Sequence, residues 1–340
     1  MITRFRVAVV GAGPRGHALV RALVGHPDAQ LVGVCDRKLA RARRSVDGLF
    51  RVDAFDDVAT LLRACRPEVV VVATPPSFQA DIAVTALNAG RHVLVECPMV
   101  TDAAQADAVR SAAERGGRHA ALAESFCYFP AVLAMRRELS VLRGGVLGGE
   151  GWYLEMDSSA PAARWREDLE MSRYLTHGLG PLLHLTDDRA TVVTGIEPLN
   201  RRGRRDGPLQ PVALVQTAAG AVHYVASSGL APRPVTRWNL TGEWWSLESD
   251  PAGAYQGDIR VYRHDSGKWT TVPTRPAELY GDLWGLGREP ERLMLRRFLA
   301  AVAGGLPDLS LEASLNIALA GAAAAESARA GGRPVPVPAT

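Results

Sequence analysis

Residues 7–16 read Val7-Ala8-Val9-Val10-Gly11-Ala12-Gly13-Pro14-Arg15-Gly16, an apolar run that breaks into three spaced glycines. A second apolar run, Gln30 to Cys35, ends in Asp36, twenty residues beyond Gly16. A dinucleotide site needs this order. Gly11 allows the tight turn after a strand, Gly13 lets the backbone approach a pyrophosphate, and Gly16 permits close helix–strand packing. A helix starting near Pro14 would aim its N–H groups and positive dipole end at the phosphates. Asp36 would accept from the adenosine ribose hydroxyls, which favours NAD over NADP, although Arg37 and Arg41 could each swing over a 2′-phosphate.

Working outward, the first 125 residues alternate strand-like and helix-like patterns. Strands are expected at Arg6–Val10, Gln30–Cys35, Glu68–Ala73, His92–Val95 and Ala120–Ala123. Helices are expected at His17–Val24, Val58–Cys65, Gln79–Ala89 and Ala103–Arg115. Continuous Val/Ile/Leu runs mark strands buried on both faces, so the pattern predicts a doubly wound parallel sheet. Thr74-Pro75-Pro76 follows the Glu68–Ala73 run at the sheet edge where cofactors lie, and its prolines predict an extended loop.

After residue 125 strand-like segments follow one another: Glu150–Met156, Ala190–Glu197, Val212–Thr217, Ala221–Ser227, Thr236–Leu240 and Ile259–Arg263. Their apolar–polar alternation suits an open, mostly antiparallel sheet with one buried face. Helices near Glu291–Ala303 and Leu311–Arg329 would close this domain. The fold class is therefore α/β, with a Rossmann domain at 1–125, a substrate and oligomerisation domain at 126–330, and an extended tail at 331–340 that could pack back on the first domain.

Composition narrows the function classes. The 340 residues are 47% hydrophobic and 22% charged, with a net charge of +3, so neither a nucleic acid nor a membrane surface is implied as partner. Arg201-Arg-Gly-Arg-Arg205 reads as a solvated loop. Cys35, Cys65, Cys97 and Cys127 are dispersed without a CxxC pair, so no metal site and no disulfide framework is expected. No signal peptide and no run of about 18 apolar residues is visible, and a cytoplasmic protein is expected.

Residues 90–98, Gly90-Arg-His92-Val-Leu-Val-Glu96-Cys97-Pro98, resemble the Gly-Lys-His-Val-x-x-Glu-Lys-Pro signature of the glucose–fructose oxidoreductase/inositol dehydrogenase (Gfo/Idh/MocA) family. With the glycine fingerprint and Thr74-Pro75, the resemblance covers nearly the whole chain. It implies a Rossmann domain that holds NAD, followed by an α/β domain whose open sheet floors the substrate site and often forms dimers. It places Arg15, Arg37, Thr74, Pro75, Glu96, Cys97 and Pro98 beside the cofactor. Cys97 departs from the family lysine, which in redox members binds substrate and helps move the hydroxyl proton. A thiol there offers no ammonium, and Cys97 is expected to be a packed, cofactor-adjacent side chain.

A second cluster comprises Glu124-Ser-Phe-Cys-Tyr128, Trp152-Tyr153, Trp165-Arg166 and Tyr174-Leu-Thr-His177-Gly-Leu-Gly-Pro181. It is similar to the NAD-dependent α-N-acetylgalactosaminidase branch of that family. The resemblance implies transient oxidation of a sugar or cyclitol hydroxyl, elimination and addition beside the resulting ketone, and return of the hydride. His177 is the expected base, with Tyr174 sharing its face and Glu124 and Tyr153 lining the pocket; Trp165 and Arg166 are expected at the cofactor. A net sugar dehydrogenase or ketoreductase and a non-catalytic NAD-binding sensor or subunit remain alternatives. A homo-oligomer, dimer or tetramer, is expected. His184 and His92 are expected to be structural, Asp187-Asp188 a solvated helix end, and Trp244-Trp245 and Trp284 mainly core. The carboxyl half lacks the family's Gly-Thr-Lys-Gly and Gly-His-Gly-Gly segments, so galactosaminide specificity does not follow.

Overall fold

A computed structural model describes residues 4–156, 174–198, 210–228, 230–250 and 257–340. The chain starts with β1 (Phe5–Val10), α1 (Pro14–Leu23), β2 (Ala29–Cys35), α2 (Leu39–Val46), β3 (Asp53–Phe55) and α3 (Val58–Cys65). It continues through β4 (Val69–Val72), α4 (Pro76–Asn88), β5 (His92–Val95), α5 (Ala103–Gly116) and β6 (Ala120–Leu122). The six strands form one sheet in the order β3-β2-β1-β4-β5-β6, and every pair is parallel. In its centre Val7–Val10 pair with Val69–Val72, and all eight side chains are buried, as strands covered on both faces require. Strand β3 and helix α2 were not visible in the sequence pattern.

The next elements are a 3₁₀ turn at Ser125–Tyr128, α6 (Pro130–Leu139), β7 (Val146–Met156), α7 (Thr176–Thr186), β8 (Ala190–Ile196), β9 (Val212–Thr217) and β10 (Val222–Ser228). Then come β11 (Leu230–Gly242), β12 (Trp245–Ser249), β13 (Ile259–Arg263), β14 (Lys268–Val272), α8 (Pro276–Tyr280), α9 (Glu289–Val302), α10 (Leu311–Arg329) and β15 (Val335–Pro336). Among the described residues nine strands make the second sheet, in the order β14-β13-β12-β11-β7-β10-β9-β8-β15. All of its pairs are antiparallel except β7 with β10. One core cluster joins Ala131, Met135, Leu182, Trp238, Trp245, Leu247 and Val261, so one face of the sheet is covered by α6 and α7. Trp245 belongs to this core and donates to Arg143 O at 3.1 Å, whereas Trp244 and Trp284 are exposed.

Two compact units result. The first runs to Ala123 and resumes at Tyr280–Leu315; the second comprises Glu124–Leu279 and Asn316–Thr340. This corrects the expected boundary, because residues 280–315 complete the first unit. Buried Arg292 caps the end of α1, donating to Arg21 O at 3.2 Å and Val24 O at 2.9 Å. His26 meets Arg292 O at 3.0 Å, and Arg296 bridges Asp28 and Asp282 at 2.7 and 2.6 Å. Such long-range polar ties leave no periodic trace in sequence. The tail is a second correction. Val335–Pro336 pair with Val192–Val193 of β8, adding an edge strand to the second sheet.

Candidate active site

In the first unit the fingerprint adopts the expected turn. Gly11 N donates to Cys35 O at 2.7 Å, and φ of +102° at Gly11 is a conformation that side chains disfavour. A Cβ at Gly11 would collide with Ala73, and one at Gly16 would collide with Gly11 O, so the packing around the turn admits no methyl group. A Cβ at Gly13 would meet nothing within 4 Å. Gly13 is the N-cap of α1, and no side chain caps the first turn. An anion is the natural acceptor there.

Asp36 is pinned beside this turn. Its Oδ2 accepts from Ala12 N at 2.9 Å and its Oδ1 from Lys38 N at 2.8 Å. The Arg37 guanidinium lies 5.8 Å from the centre of the Phe78 ring. Thr74 Oγ1 is buried without a partner. The extended loop expected at Thr74-Pro75-Pro76 is shorter than predicted, because Pro76 opens α4, where a missing N–H costs nothing. Gln79, which the sequence reading passed over, fastens two turns together. Its Nε2 donates to Thr74 O at 3.1 Å and Cys97 O at 3.4 Å, and its Oε1 accepts from Met99 N at 3.1 Å. Cys97 is buried and its bond to Pro98 is cis. Arg15 Nε contacts Glu96 Oε1 and Arg15 Nη1 contacts Glu291 Oε1, each at 2.7 Å. The open side at Gly13, the uncapped helix start, the orphaned Thr74 hydroxyl and the fixed Asp36 carboxylate all fit a dinucleotide.

In the second unit His177 stands in the first turn of α7, and its Nδ1 lies 2.9 and 3.1 Å from the two oxygens of Glu124. Glu124 is fully buried, so it does not line a pocket as expected. It also accepts from Phe126 N at 3.3 Å, which fixes it at the start of the 3₁₀ turn. An acceptor-only carboxylate at Nδ1 puts the proton on that nitrogen, leaving Nε2 as the lone-pair nitrogen of the neutral ring. Aromatic rings surround the imidazole. Tyr153 lies edge-on at 4.6 Å between centroids, Phe126 at 4.9 Å and Tyr174 at 5.7 Å. Phe126 was missed in the sequence, where only its place two residues after Glu124 hints at a role.

Close packing holds α7 in position. A Cβ at Gly178 would sit 2.5 Å from Val225 Cγ1 and 2.7 Å from Gly151 O, so helix and strand meet backbone to backbone. Trp238 Nε1 donates to Gly178 O at 3.1 Å. His184, two turns on, is buried and accepts from Arg136 Nη1 at 2.6 Å, a packed role as expected. His92 Nδ1 accepts from His119 N at 3.0 Å. Trp165 and Arg166 lie outside the described residues.

Comparison with known proteins bears on both units. A profile described as the oxidoreductase family with an NAD-binding Rossmann fold (Gfo/Idh/MocA) matches residues 5–123. Over those residues the chain is similar to the Gfo/Idh/MocA oxidoreductases. A glycosyl hydrolase family 109 protein of Streptomyces coelicolor is 26% identical, with 98% of this chain and 82% of the relative aligned. Glycosyl hydrolase family 109 protein 2 of Akkermansia muciniphila is 25% identical over 70% of this chain and 59% of its own. Among solved structures, levoglucosan dehydrogenase in complex with NADH superposes with a TM-score of 0.82 at 21% identity, covering 99% of this chain and all of the other. UDP-N-acetylglucosamine 3-dehydrogenase of Acidithiobacillus ferrooxidans gives 0.80 at 21% identity, covering 97% and 100%. The fold of these two dehydrogenases thus extends over nearly the whole chain. Among the described residues no helix is long and apolar enough to cross a membrane.

Proposed function

We propose that this chain is a sugar-processing enzyme that binds NAD through its first unit and oxidises a sugar or cyclitol hydroxyl transiently, so that a group two carbons from the oxidised position is eliminated and replaced. The His177–Glu124 pair carries this reading, since a buried carboxylate on Nδ1 makes Nε2 a positioned base. NAD, when bound, supplies a two-electron acceptor that takes and returns a hydride. His177 Nε2 removes the proton from the carbon beside the new carbonyl, and Glu124 stabilises the imidazolium that forms. Tyr174 relays the proton of the oxidised hydroxyl. Tyr153 and Phe126 wall the imidazole. The leaving group departs with the proton held on His177 Nε2. Water then adds in its place, a proton returns through His177 to the carbon beside the carbonyl, and the relayed proton goes back to the carbonyl oxygen as the hydroxyl is restored. The glycosyl hydrolase names of the relatives support this cycle. The pinned Asp36 carboxylate favours NAD, because a 2′-phosphate would meet its negative charge.

A panel of aryl glycosides incubated with the protein and NAD in D₂O tests the reading. Release of the aryl group with deuterium at the carbon beside the oxidised position, and no NADH accumulation, is the expected result. NADH building up in step with an unlabelled keto sugar would instead establish a net dehydrogenase. In the same samples NADP should bind at least about tenfold more weakly than NAD; tighter NADP binding would undo the role given to Asp36.

A further inference from the structure

The sequence places Arg15 inside the glycine fingerprint, where a guanidinium next to phosphates is an obvious ligand. Its side chain is engaged elsewhere. Nε and Nη1 each hold a different carboxylate, Glu96 and Glu291, at 2.7 Å, and both acids are buried. Glu96 follows β5 and leads into the Cys97-Pro98 turn. Glu291 comes from the first turn of α9, far along the chain. Arg288 Nη1 lies 3.8 Å from Glu291 and adds a second positive group. The Arg15 charge is held strongly: burial works against it, but the two carboxylates more than offset that.

We infer that Glu291 is a positioning residue for the cofactor: through Arg15 it locks the first turn of α1 and the Glu96-Cys97-Pro98 turn into one arrangement. Arg15 is then a strut between carboxylates, not a phosphate ligand. The phosphates are left to the main-chain amides after Gly13, whose direction depends on how α1 is held. The inference rests on the reading that this unit binds NAD.

A double-mutant cycle on direct NAD binding, followed by calorimetry with thermal unfolding in parallel, tests it. Glu291→Gln keeps a hydrogen-bond acceptor of the same shape and removes the charge. It should weaken NAD binding about tenfold, with a small change in Tm. Arg15→Gln should weaken binding by a similar factor and lower Tm more, because two buried carboxylates are left facing each other. The double variant should bind NAD no worse than Arg15→Gln alone, since Glu291 acts through Arg15. Multiplying effects would show that the two act independently and overturn the inference. So would Glu291→Gln binding NAD as tightly as, or tighter than, the parent protein; tighter binding would mean that Arg15, once freed, reaches the phosphates. A parent protein that binds no NAD at all would refute the cofactor reading itself, which is a separate outcome.

Discussion

At the scale of single residues, the proposed reaction depends on which nitrogen of His177 carries the proton. Glu124 offers only acceptors, so it fixes the Nδ1–H form and leaves Nε2 basic. Glu124→Gln keeps the size but presents an amide N–H, which can donate to Nδ1 and stabilise the opposite tautomer. Turnover should fall about 10²–10⁴-fold, close to the loss for His177→Ala, with NAD affinity unchanged. Steady-state rates alongside NAD titration check this, and near-normal turnover in Glu124→Gln would remove the carboxylate from the mechanism. The Tyr174–Pro181 string singles out His177 in the sequence by resemblance. The part played by Glu124 was not legible, since burial and pairing across a fold leave no mark on local spacing. The Arg15 contacts were illegible for the same reason.

Secondary-structure elements were readable in proportion to how strongly burial shaped their composition. Helix α3, strands β5, β9 and β13, and helix α10 occupy the spans expected from sequence. Helix α2 was missed because Leu39–Val46 is rich in arginine and buries only Ala42 and Ser45, which leaves almost no apolar period. Strand β14 was missed because none of Lys268–Val272 is fully buried, so its two faces do not differ. The contact of α7 with β7 was hidden too: glycines in Thr176-His-Gly178-Leu-Gly180 read as motif, whereas they remove side chains where a helix meets a strand and, at Gly180, where a methyl would sit 3.0 Å from Glu124 Cγ. Gly178→Ala should cost about 1–3 kcal/mol through overpacking. It should also lower turnover, since His177 is the adjacent residue. Urea unfolding and initial rates on one preparation would show both effects, and unchanged stability would mean that the contact yields easily.

Over the whole molecule, buried histidines tie stability to pH. Burial pushes His92 in the first unit and His223 in the second down to about 4, and lowers His26 as well. In the unfolded chain such groups titrate near 6.5. Between those values the unfolded state binds more protons, so stability falls as pH drops from about 6.5 towards 4. His223 is fully buried, and neither of its ring nitrogens has a partner. His223→Leu should therefore flatten part of the acid limb. Denaturant midpoints at pH 7, 6 and 5 measure this; a parent protein equally stable at all three would contradict the assignment. The two-sheet architecture was plain from residue patterning. The chain's return to the first unit was not, because residues 280–315 look like any helical segment until their charged partners are known.

That return has a consequence for biosynthesis. A ribosome completes residues 4–123 long before it reaches residues 280–315. At about 5–20 residues per second the wait lasts roughly ten to thirty seconds. Throughout it the nascent amino-terminal half lacks the arginine that caps α1 and the acid that braces Arg15. The nucleotide pocket therefore cannot mature co-translationally in step with its own strands, and a polypeptide truncated anywhere before α9 leaves it unfinished.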